Sequence, residues 1–280
     1  MPQVEVRLLE TIDEFRECER TQMNTWGTLA VSGETLMVAR KYGGAVVGTM
    51  VDGQVVGFIF AFLGRYRTRL IHWSHLMAVE SKFRDQGFGF RMKLVHRQFA
   101  LERGVKFICW TFDPLQSRNA RLNIACLGGI VDNFIPDCYG TFDSLLEKGL
   151  PSDRFVIDWR IATRRVEERL QGEVSRFDPS VPRVNDTLLT ADGFPMNQSI
   201  HLDLNKSRLL VEIPAQTDEM RSRDLPLGRA WRLETRQMFG HYLSAGYHVE
   251  NFFAPQTATE GRCFYLLRRS SPNLLKPSPL

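Results

Sequence analysis

The sequence predicts an α/β protein, and three observations lead to this fold class. Short apolar and β-branched runs alternate along the chain with stretches whose apolar residues recur at helical spacing. Two strand-like runs flank Asp52-Gly53, a pair typical of a tight hairpin turn. The stretch FRDQGFGFRM (83–92), with two glycines, joins a third strand-like run to a helix-like one. Strands and helices in this order are expected to pack as layers around a common core.

The first elements in chain order are a strand, a helix, a hairpin and a strand. EVRLLE (5–10) is the first strand. The helix after it begins at Thr11, and Glu14 stands three residues later, which is the pattern of a capping box. The second arm of the hairpin and the next strand, LIHWSHLMAV (70–79), are mostly apolar, as in strands covered on both faces.

A helix, a strand, a second helix and two strands are predicted after the glycine stretch. Helical spacing runs from Phe88 to Arg103, and Gly104 ends that helix. The later elements are the strand VKFICWTF (105–112), the helix NARLNIACLGG (119–129) and the strands GIVDNFI (129–135) and RFVIDWRI (154–161).

The chain becomes polar and rich in proline after Ile161, which predicts a linker. The expected organisation is a catalytic domain at 1–165, a linker at 166–186, a smaller α/β segment at 187–270 and a disordered tail at 271–280. GGIVDNF (128–134) and GYHVENF (246–252) share glycine, valine, asparagine and phenylalanine in register. The second segment is therefore either a partial repeat of the half before it or a chance match.

Composition narrows the classes of partner. The formal net charge is +4 and the basic residues are scattered, which argues against a nucleic-acid partner. The five cysteines contain no closely spaced pair and read as reduced thiols. There is neither a signal-peptide pattern nor an apolar run long enough for a membrane span. A cytoplasmic protein without membrane contact is the expectation.

The glycine stretch stands at the start of a helix, where backbone N–H groups lack partners and the helix dipole is positive. Gly87 and Gly89 let a ligand approach the backbone closely, because no Cβ intervenes. Arg84 adds a charged donor. The pattern indicates a cradle for a phosphate or pyrophosphate, and the alternative is a turn that simply needs a positive φ at Gly87. It is neither a Walker loop nor a dinucleotide fingerprint, which need further residues that are missing here.

HLMAVESKFRDQGFGFRM (75–92) resembles the acyl-CoA binding motif of the GNAT superfamily of N-acetyltransferases, with Arg84, Gly87 and Gly89 at its three defining positions. The order of elements over residues 4–162 also resembles that family. The resemblance implies a mixed, mostly antiparallel twisted sheet flanked by helices. WTFDPLQSRNARLNI (110–124) further resembles a branch of predicted acyltransferases, some of which are associated with N-succinylation of amino acids.

The resemblance also implies which residues contact acyl-CoA. Backbone amides of the loop and the following helix would hold the pyrophosphate, and the preceding strand would pair with the pantetheine arm. Asn119 resembles an asparagine that contacts the same arm; otherwise it caps its helix. The expected cofactor-binding residues are Met77, Ala78, Val79, Arg84, Gln86, Gly87, Phe88, Gly89, Phe90 and Asn119.

Acylation of an amine needs a base that takes a proton from the incoming ammonium, and histidine suits this task near neutral pH. His75 is the first candidate, at a spacing from the loop that resembles arylalkylamine N-acetyltransferases. Otherwise it is a core histidine bonded to a carbonyl. His72 is expected on the opposite face of the strand and is a weaker candidate. Glu80 is a further catalytic candidate that would act through water, or else a solvated carboxylate.

The thiolate leaving group calls for a proton donor. Many members of the superfamily use a tyrosine at a position where this chain has Asn123 or Ile124. Tyr139 is the expected replacement, unless the thiolate leaves without an acid. Arg154 would bind the carboxylate of an acyl group such as succinyl, or pair with Asp153.

The sequence thus predicts an acyl-CoA-dependent N-acyltransferase that moves an acetyl or succinyl group to the amine of a small molecule, an amino acid being one such acceptor. A CoA-binding regulatory module without catalysis is the alternative, favoured by the missing tyrosine. Acetyl-CoA or another acyl-CoA is the expected cosubstrate, no metal is expected, and a homodimer is one option for assembly.

Overall fold

The computed structural model describes residues 2–140, 150–173, 175–255 and 262–269, which form two compact units. The first unit holds the residues up to Trp110 together with Arg160–Ala162. The second holds Thr111–Trp159 and the described residues from Thr163 onward. These packing units differ from the predicted domains, whose boundaries stay a prediction. The predicted tail at 271–280 lies outside the described residues.

The first unit is a sheet with three helices. Its elements are β1 (Val4–Leu8), α1 (Ile12–Trp26), α2 (Gly33–Lys41), β2 (Ala45–Val51), β3 (Gln54–Tyr66), β4 (Arg69–Val79), α3 (Phe88–Glu102) and the start of β5 (Ile108–Phe112). Strands β1 to β4 pair antiparallel in chain order. Strand β5 joins β4 in parallel, where His72 faces Ile108 and Trp73 faces Cys109.

Local sequence explains several borders of these elements. The Thr11 hydroxyl accepts from the amide of Glu14, whose carboxylate accepts from the amide of Thr11, so the predicted capping box is confirmed. Asp52 and Gly53 turn the hairpin between β2 and β3 with φ values of 48° and 81°, which confirms the predicted turn. Helix α2 was not predicted, although Ser32 caps it by accepting from the amide of Thr35.

Helices cover both faces of the sheet in the first unit. On one face, Phe15 of α1 and Leu36 of α2 pack with Phe58 of β3. On the other face, Met92 of α3 packs with Ile59, the next residue of β3. Successive strand residues point to opposite faces, so the two helical layers bury β3 from both sides. This burial fixes the position of β4, which leads into the glycine turn.

The second unit contains further antiparallel strands. Its elements are α4 (Ser117–Ala120) with a π-helical continuation (Arg121–Cys126), β6 (Ile130–Ile135), β7 (Arg154–Trp159), α5 (Arg164–Leu170), β8 (Asn185–Leu189), β9 (Pro195–Ile200), β10 (Arg208–Ile213), α6 (Thr217–Arg223), α7 (Leu225–Ser244), β11 (Tyr247–Phe253) and β12 (Cys263–Arg269). The strand order is β7-β6-β11-β12-β10, and β8 and β9 form a separate hairpin. Helix α5 reaches into the stretch predicted as a linker at 166–186.

The predicted fold class is confirmed, because each unit combines a mostly antiparallel sheet with helices. The two segments with matching sequences form neighbouring strands, where Val131 of β6 pairs with Val249 of β11. Their pairings with β7 and β12 each contain a register shift at the same place, after Val131 and after Val249. Asp132 and Glu250 are therefore bulged at matching positions. This geometry favours an internal repeat, which stays a prediction.

Candidate functional site

The glycine turn between β4 and α3 has the conformation that its sequence predicts. After β4 the chain forms a short 3-10 turn, Ser81–Phe83, and reaches Gly87, the N-cap of α3. Gly87 has a φ of 75°, which side-chain-bearing residues rarely adopt. It is exposed, and a Cβ built on it would lie more than 4 Å from any other part of the protein. The turn therefore presents bare backbone to a ligand.

The first turn of α3 has the backbone geometry that the expected anion cradle would need. The amide of Arg91 makes the first helical hydrogen bond, to the carbonyl of Gly87. The amides of Phe88, Gly89 and Phe90 precede it, where helix geometry provides no intrahelical partner. The Phe88 side chain is buried and anchors the turn. Amides in this position, together with the positive end of the helix dipole, suit a phosphate group.

Arg84 and Gln86, the expected flanking residues, are both exposed. The Arg84 Nε donates a hydrogen bond of 3.1 Å to the carbonyl of Val79. Arg84 therefore ties the loop back to the end of β4. Its remaining guanidinium donors are the ones that a phosphate would use.

Strand β4 has one partner along its whole length and a second only at its beginning. Met77, Ala78 and Val79 pair with β3. On the other side, the pairing of β4 with β5 is confined to His72 and Trp73. Within the described part of the chain, the three expected pantetheine-binding residues thus have one edge without a strand partner, which is what pairing with an extended ligand requires.

His75 lies at a β-bulge in β4. Ser74 pairs with Ala61 and Leu76 pairs with Phe60, so His75 has no counterpart in β3. Its ring contacts two aromatic rings of β3, with centroids 6.1 Å from Phe60 and 5.9 Å from Phe62. The side chain is exposed, yet its surroundings desolvate it enough to lower its pKa from the ordinary value. His75 is thus neutral near pH 7 and able to accept a proton.

The other two candidates of this region are held by neighbouring residues. His72 is buried on the α3 side of β4, as predicted, with its Nδ1 3.0 Å from the Nε2 of His96. Burial lowers the pKa of His72 to about 4. Glu80 is buried and accepts hydrogen bonds from Arg20 at 3.2 Å and Asn24 at 3.0 Å. The carboxylate is therefore fixed by an ion pair, in contrast to the solvated group that was one expectation.

Tyr139 belongs to the second unit. Its hydroxyl lies 2.7 Å from the Thr111 hydroxyl, and the Arg154 guanidinium lies 5.6 Å from its ring centre. Tyr139 is exposed, whereas Asn123 and Ile124 are buried in the π-helical stretch. Tyr139 remains the predicted acid, because the position usual for a tyrosine is closed in this chain. Asp153, the alternative partner of Arg154, forms a two-point ion pair with Arg236, and its backbone carbonyl accepts a hydrogen bond of 3.1 Å from Arg154.

Asn119, the remaining expected CoA contact, is half-buried in α4. It does not cap this helix: the N-cap is Gln116, without a side-chain hydrogen bond. Ser117, the other capping candidate, donates to the carbonyl of Ala215 at 2.6 Å. The capping alternative is therefore wrong, and contact with the pantetheine arm stays a prediction.

Two features near β4 were missed by sequence reasoning. One is an open groove between α2 and β3 with a volume of about 460 Å³. The other is a buried lysine, Lys93, whose Nζ lies 3.0 Å from the Ser74 hydroxyl and 3.6 Å from the ring centre of Trp110. Helical spacing places position 93 toward the sheet, but lysine there is an unexpected residue type.

The described ranges offer neither a metal-binding cluster nor a membrane-spanning helix. These ranges contain no cluster of His, Cys, Asp or Glu suited to a metal ion. Among their helices, none combines the length and apolar character needed to cross a bilayer.

Several solved structures are similar to part of this chain. The ribosomal-protein-S18-alanine N-acetyltransferase from Escherichia coli is 15% identical, with 57% of this chain and 96% of that chain covered and a TM-score of 0.47. A GNAT-family acetyltransferase from Streptococcus pneumoniae is 14% identical, with coverages of 56% and 98% and a TM-score of 0.44. A putative acetyltransferase from Salmonella typhimurium, solved with acetyl-CoA, is 14% identical, with coverages of 56% and 94% and a TM-score of 0.45. No family profile and no curated protein matches the sequence.

Proposed function

We propose that the protein is an acyl-CoA-dependent N-acyltransferase that moves an acetyl or succinyl group to the amine of a small molecule. The observation that carries this proposal is the exposed Gly87 turn at the start of α3, directly after a strand with a half-open edge. These two features supply an anion cradle and a backbone edge within one unit, as CoA requires. An amino acid is one acceptor that the sequence resemblance suggests.

The proposed reaction uses His75 as the base. His75 takes a proton from the ammonium, and the freed nitrogen lone pair attacks the carbonyl carbon of the thioester. A C–N bond forms, the C–S bond breaks, and the electron pair leaves with the sulfur of CoA. Tyr139 is the predicted donor of the proton that this thiolate takes up, and the second proton that the nitrogen loses as the amide forms restores the Tyr139 hydroxyl. The Gly87 turn and the edge of β4 would hold the acyl donor in place meanwhile.

Replacement of Gly87 by alanine tests the cradle, and Gly104 provides a matched control. Both glycines are exposed and have φ values of 75° and 72°, at the two ends of α3. An added Cβ meets no protein atom within 4 Å at either position, so both substitutions carry the same backbone strain of about 1 kcal/mol. Only Gly87→Ala places a methyl group where the pyrophosphate would lie.

Calorimetric titration with CoA is the measurement. We expect Gly87→Ala to weaken CoA binding by about tenfold or more and Gly104→Ala to leave it unchanged. Equal effects of the two variants, or no heat with the unmodified protein, would exclude this cradle as the CoA site.

The alternative function, a CoA-binding regulatory module, is favoured by one observation, the buried Asn123 and Ile124 at the position usual for an acid. Release of free thiol from acetyl-CoA or succinyl-CoA in the presence of an amine separates the two functions. A module without catalysis would gain thermal stability from CoA and release no thiol with any amine of a broad panel.

A further inference from the structure

A polar pair lies in the first unit where β4 and β5 separate. The pairing of the two strands ends at Trp73 and Cys109, so Ser74 and Trp110 are the first residues beyond it. Lys93 of α3 places its Nζ 3.0 Å from the Ser74 hydroxyl oxygen and 3.6 Å from the ring centre of Trp110. Ser74 and Lys93 therefore lie at the closed end of the strand edge that is expected to receive the pantetheine arm.

The Ser74 hydroxyl is set up to pass a proton. Its oxygen accepts a hydrogen bond from Lys93, and among the hydrogen bonds of the described chain it donates none. A hydroxyl has one hydrogen to donate in addition to its acceptor lone pairs. Ser74 can thus give its proton to a ligand on one side while it receives another from the buried ammonium on the other side.

Lys93 has no acidic neighbour among the described residues that could fix its charge. His96 of α3 and His72 of β4 are the titratable groups beside it, and burial holds the pKa of both imidazoles low enough to keep them neutral near pH 7. Arg103 adds a positive charge that acts on His72. The side chains that the other strands pack against α3 are apolar, namely Val6, Leu8, Val47 and Ile59.

Burial alone lowers the pKa of Lys93 to about 7. Both the ammonium and the free amine are therefore populated near neutral pH. A proton donor is most effective when its pKa lies close to the working pH, because it must carry the proton and also release it.

We infer that Ser74 protonates the departing thiolate of CoA and that Lys93 resupplies the proton to Ser74. The inference rests on the proposed function and replaces Tyr139 as the acid. Both residues belong to the unit that contains the Gly87 turn and β4, whereas Tyr139 belongs to the other unit. Ser74 is then a catalytic residue, and Lys93 is a positioning residue that acts through it.

The protons of this relay balance. As the C–S bond breaks, the sulfur keeps the electron pair and takes the Ser74 proton, and the Ser74 oxygen takes a proton from the Lys93 ammonium. The amine nitrogen loses two protons in the whole reaction. The first goes to His75 and from there to water, and the second returns to Lys93 through the Ser74 hydroxyl. The products are an amide, the free thiol of CoA and one proton in water.

Removal of the hydroxyl tests the catalytic role. With acetyl-CoA and the best amine of a broad panel, Ser74→Ala should lower kcat by about 10²-fold, the lower end of what a general acid contributes, and leave the KM for acetyl-CoA unchanged. Ser74→Thr keeps a hydroxyl on the same carbon and should restore most of the rate. A Ser74→Ala rate within a few-fold of the unmodified protein would overturn the inference.

The pH–rate profile tests Lys93. A donor works only while it is protonated, so kcat should fall as the pH rises through about 7, the pKa of Lys93. Lys93→Met should remove this falling limb, and Lys106→Met, at an exposed lysine, should retain it. A limb that persists in Lys93→Met and disappears in Tyr139→Phe would return the role of acid to Tyr139. Lys93→Met removes a buried charge, so it stays readable if Ser74→Ala does not fold.

Proton uptake gives a readout that needs no turnover. The diphosphate of CoA would lie at the start of α3, about 9 Å of helix before Lys93, and an anion raises the pKa of a nearby lysine. At pH 8 we expect the unmodified protein to take up more protons on binding CoA than Lys93→Met does, as measured by calorimetry in two buffers of different ionisation enthalpy. Equal uptake would overturn the inference.

Each of these negative results leaves the proposed function standing, because thiol is still released or CoA is still bound. If no amine of the panel releases thiol from acetyl-CoA or succinyl-CoA, the proposed function itself fails and the inference fails with it.

Discussion

At the scale of single residues, His75 combines a bulge, two aromatic contacts and a lowered pKa. His75→Ala should slow thiol release by about 10²-fold or more, the usual contribution of a general base, with the affinity for CoA unchanged. Since the base must be neutral, the rate of the unmodified protein should rise with pH through a value below 6.5, the ordinary histidine pKa. The measurements are a pH–rate profile and calorimetry.

The alternative role of His75, a structural histidine, predicts a different result. In that case His75→Ala would lower the melting temperature and leave the pH–rate profile of the residual activity unchanged. A rate within a few-fold of the unmodified protein would rule out the base.

Lys93 is a second residue whose environment predicts a measurement. It is fully buried beside Ser74 and Trp110, and burial lowers its pKa to about 7 from 10.5. At pH values between these two pKa values, the unfolded chain binds the proton more tightly than the folded protein does. The free energy of unfolding therefore falls as the pH decreases from about 10 toward 7, and this loss of stability is complete below pH 7. Lys93→Met removes this dependence.

We therefore expect the melting temperature of Lys93→Met, relative to the unmodified protein, to be highest at about pH 6 and to decline toward about pH 10. Lys106→Met, which removes an exposed lysine, serves as the control and should follow the unmodified protein at every pH. Parallel curves for Lys93→Met and the unmodified protein would contradict the lowered pKa.

At the scale of elements, sequence reasoning succeeded where a structure depends on neighbouring residues. The capping box of α1, the hairpin turn at Asp52-Gly53 and the left-handed Gly87 are all set by local backbone chemistry. Helix α2 and the hairpin of β8 and β9 were missed, although α2 carries a local start signal in the Ser32 cap. The bulge at His75 left no trace in the alternation of the strand.

Partners distant in sequence were also beyond prediction. Glu80 is fixed by Arg20, 60 residues earlier, so local pattern alone suggested a solvated carboxylate. The groove between α2 and β3 depends on both elements, so it could not be predicted once helix α2 had been missed. The conformation of the glycine turn was predictable because one short stretch contains it.

Helices α6 and α7 hold the turn after β5 through buried ion pairs. Arg232 of α7 donates to both oxygens of Asp113 at 2.8 and 2.5 Å, and Arg221 of α6 lies 3.4 Å away. Burial alone would raise the pKa of Asp113, but the charge and hydrogen bonds of Arg232, the charge of Arg221 and the amide of Leu115 together outweigh it, and the pKa is lowered. Tyr265 of β12 adds a hydrogen bond to the carbonyl of the next residue, Pro114.

Arg232→Met should lower the free energy of unfolding by about 3 kcal/mol or more, because it leaves a buried carboxylate short of its main partner. Arg229→Met, an exposed arginine on the same helix, should change it by less than about 0.5 kcal/mol. Denaturant titration measures both. Equal stabilities of the two variants would show that the ion pair contributes nothing net.

At the scale of the whole molecule, the segment from β10 to β12 completes the sheet that contains β6 and β7. A chain ending at residue 165 would lose β11 from the edge of β6 and the arginines that face Asp113 and Asp153. We expect residues 1–165 alone to lack a cooperative unfolding transition, as measured by circular dichroism. Co-expression of residues 166–280 as a separate chain should restore soluble protein.

A soluble 1–165 fragment that melts cooperatively and binds CoA would instead support the predicted domain boundary. The matched bulges in β6 and β11 favour a repeated half, but a repeat does not imply that either copy folds alone. The fragment experiment therefore tests whether residues 1–165 can pack without the rest of the chain. Its result decides whether the predicted domain boundary holds.

The pairing of β6 with β11 has a further consequence. An unpaired strand edge can pair with an exposed strand edge of another molecule, and the extent of this association depends on the protein concentration. Here the neighbour of β6 is tethered by the same polypeptide, so its effective concentration is constant. Dilution, or low expression in a cell, would leave this edge protected from intermolecular strand exchange.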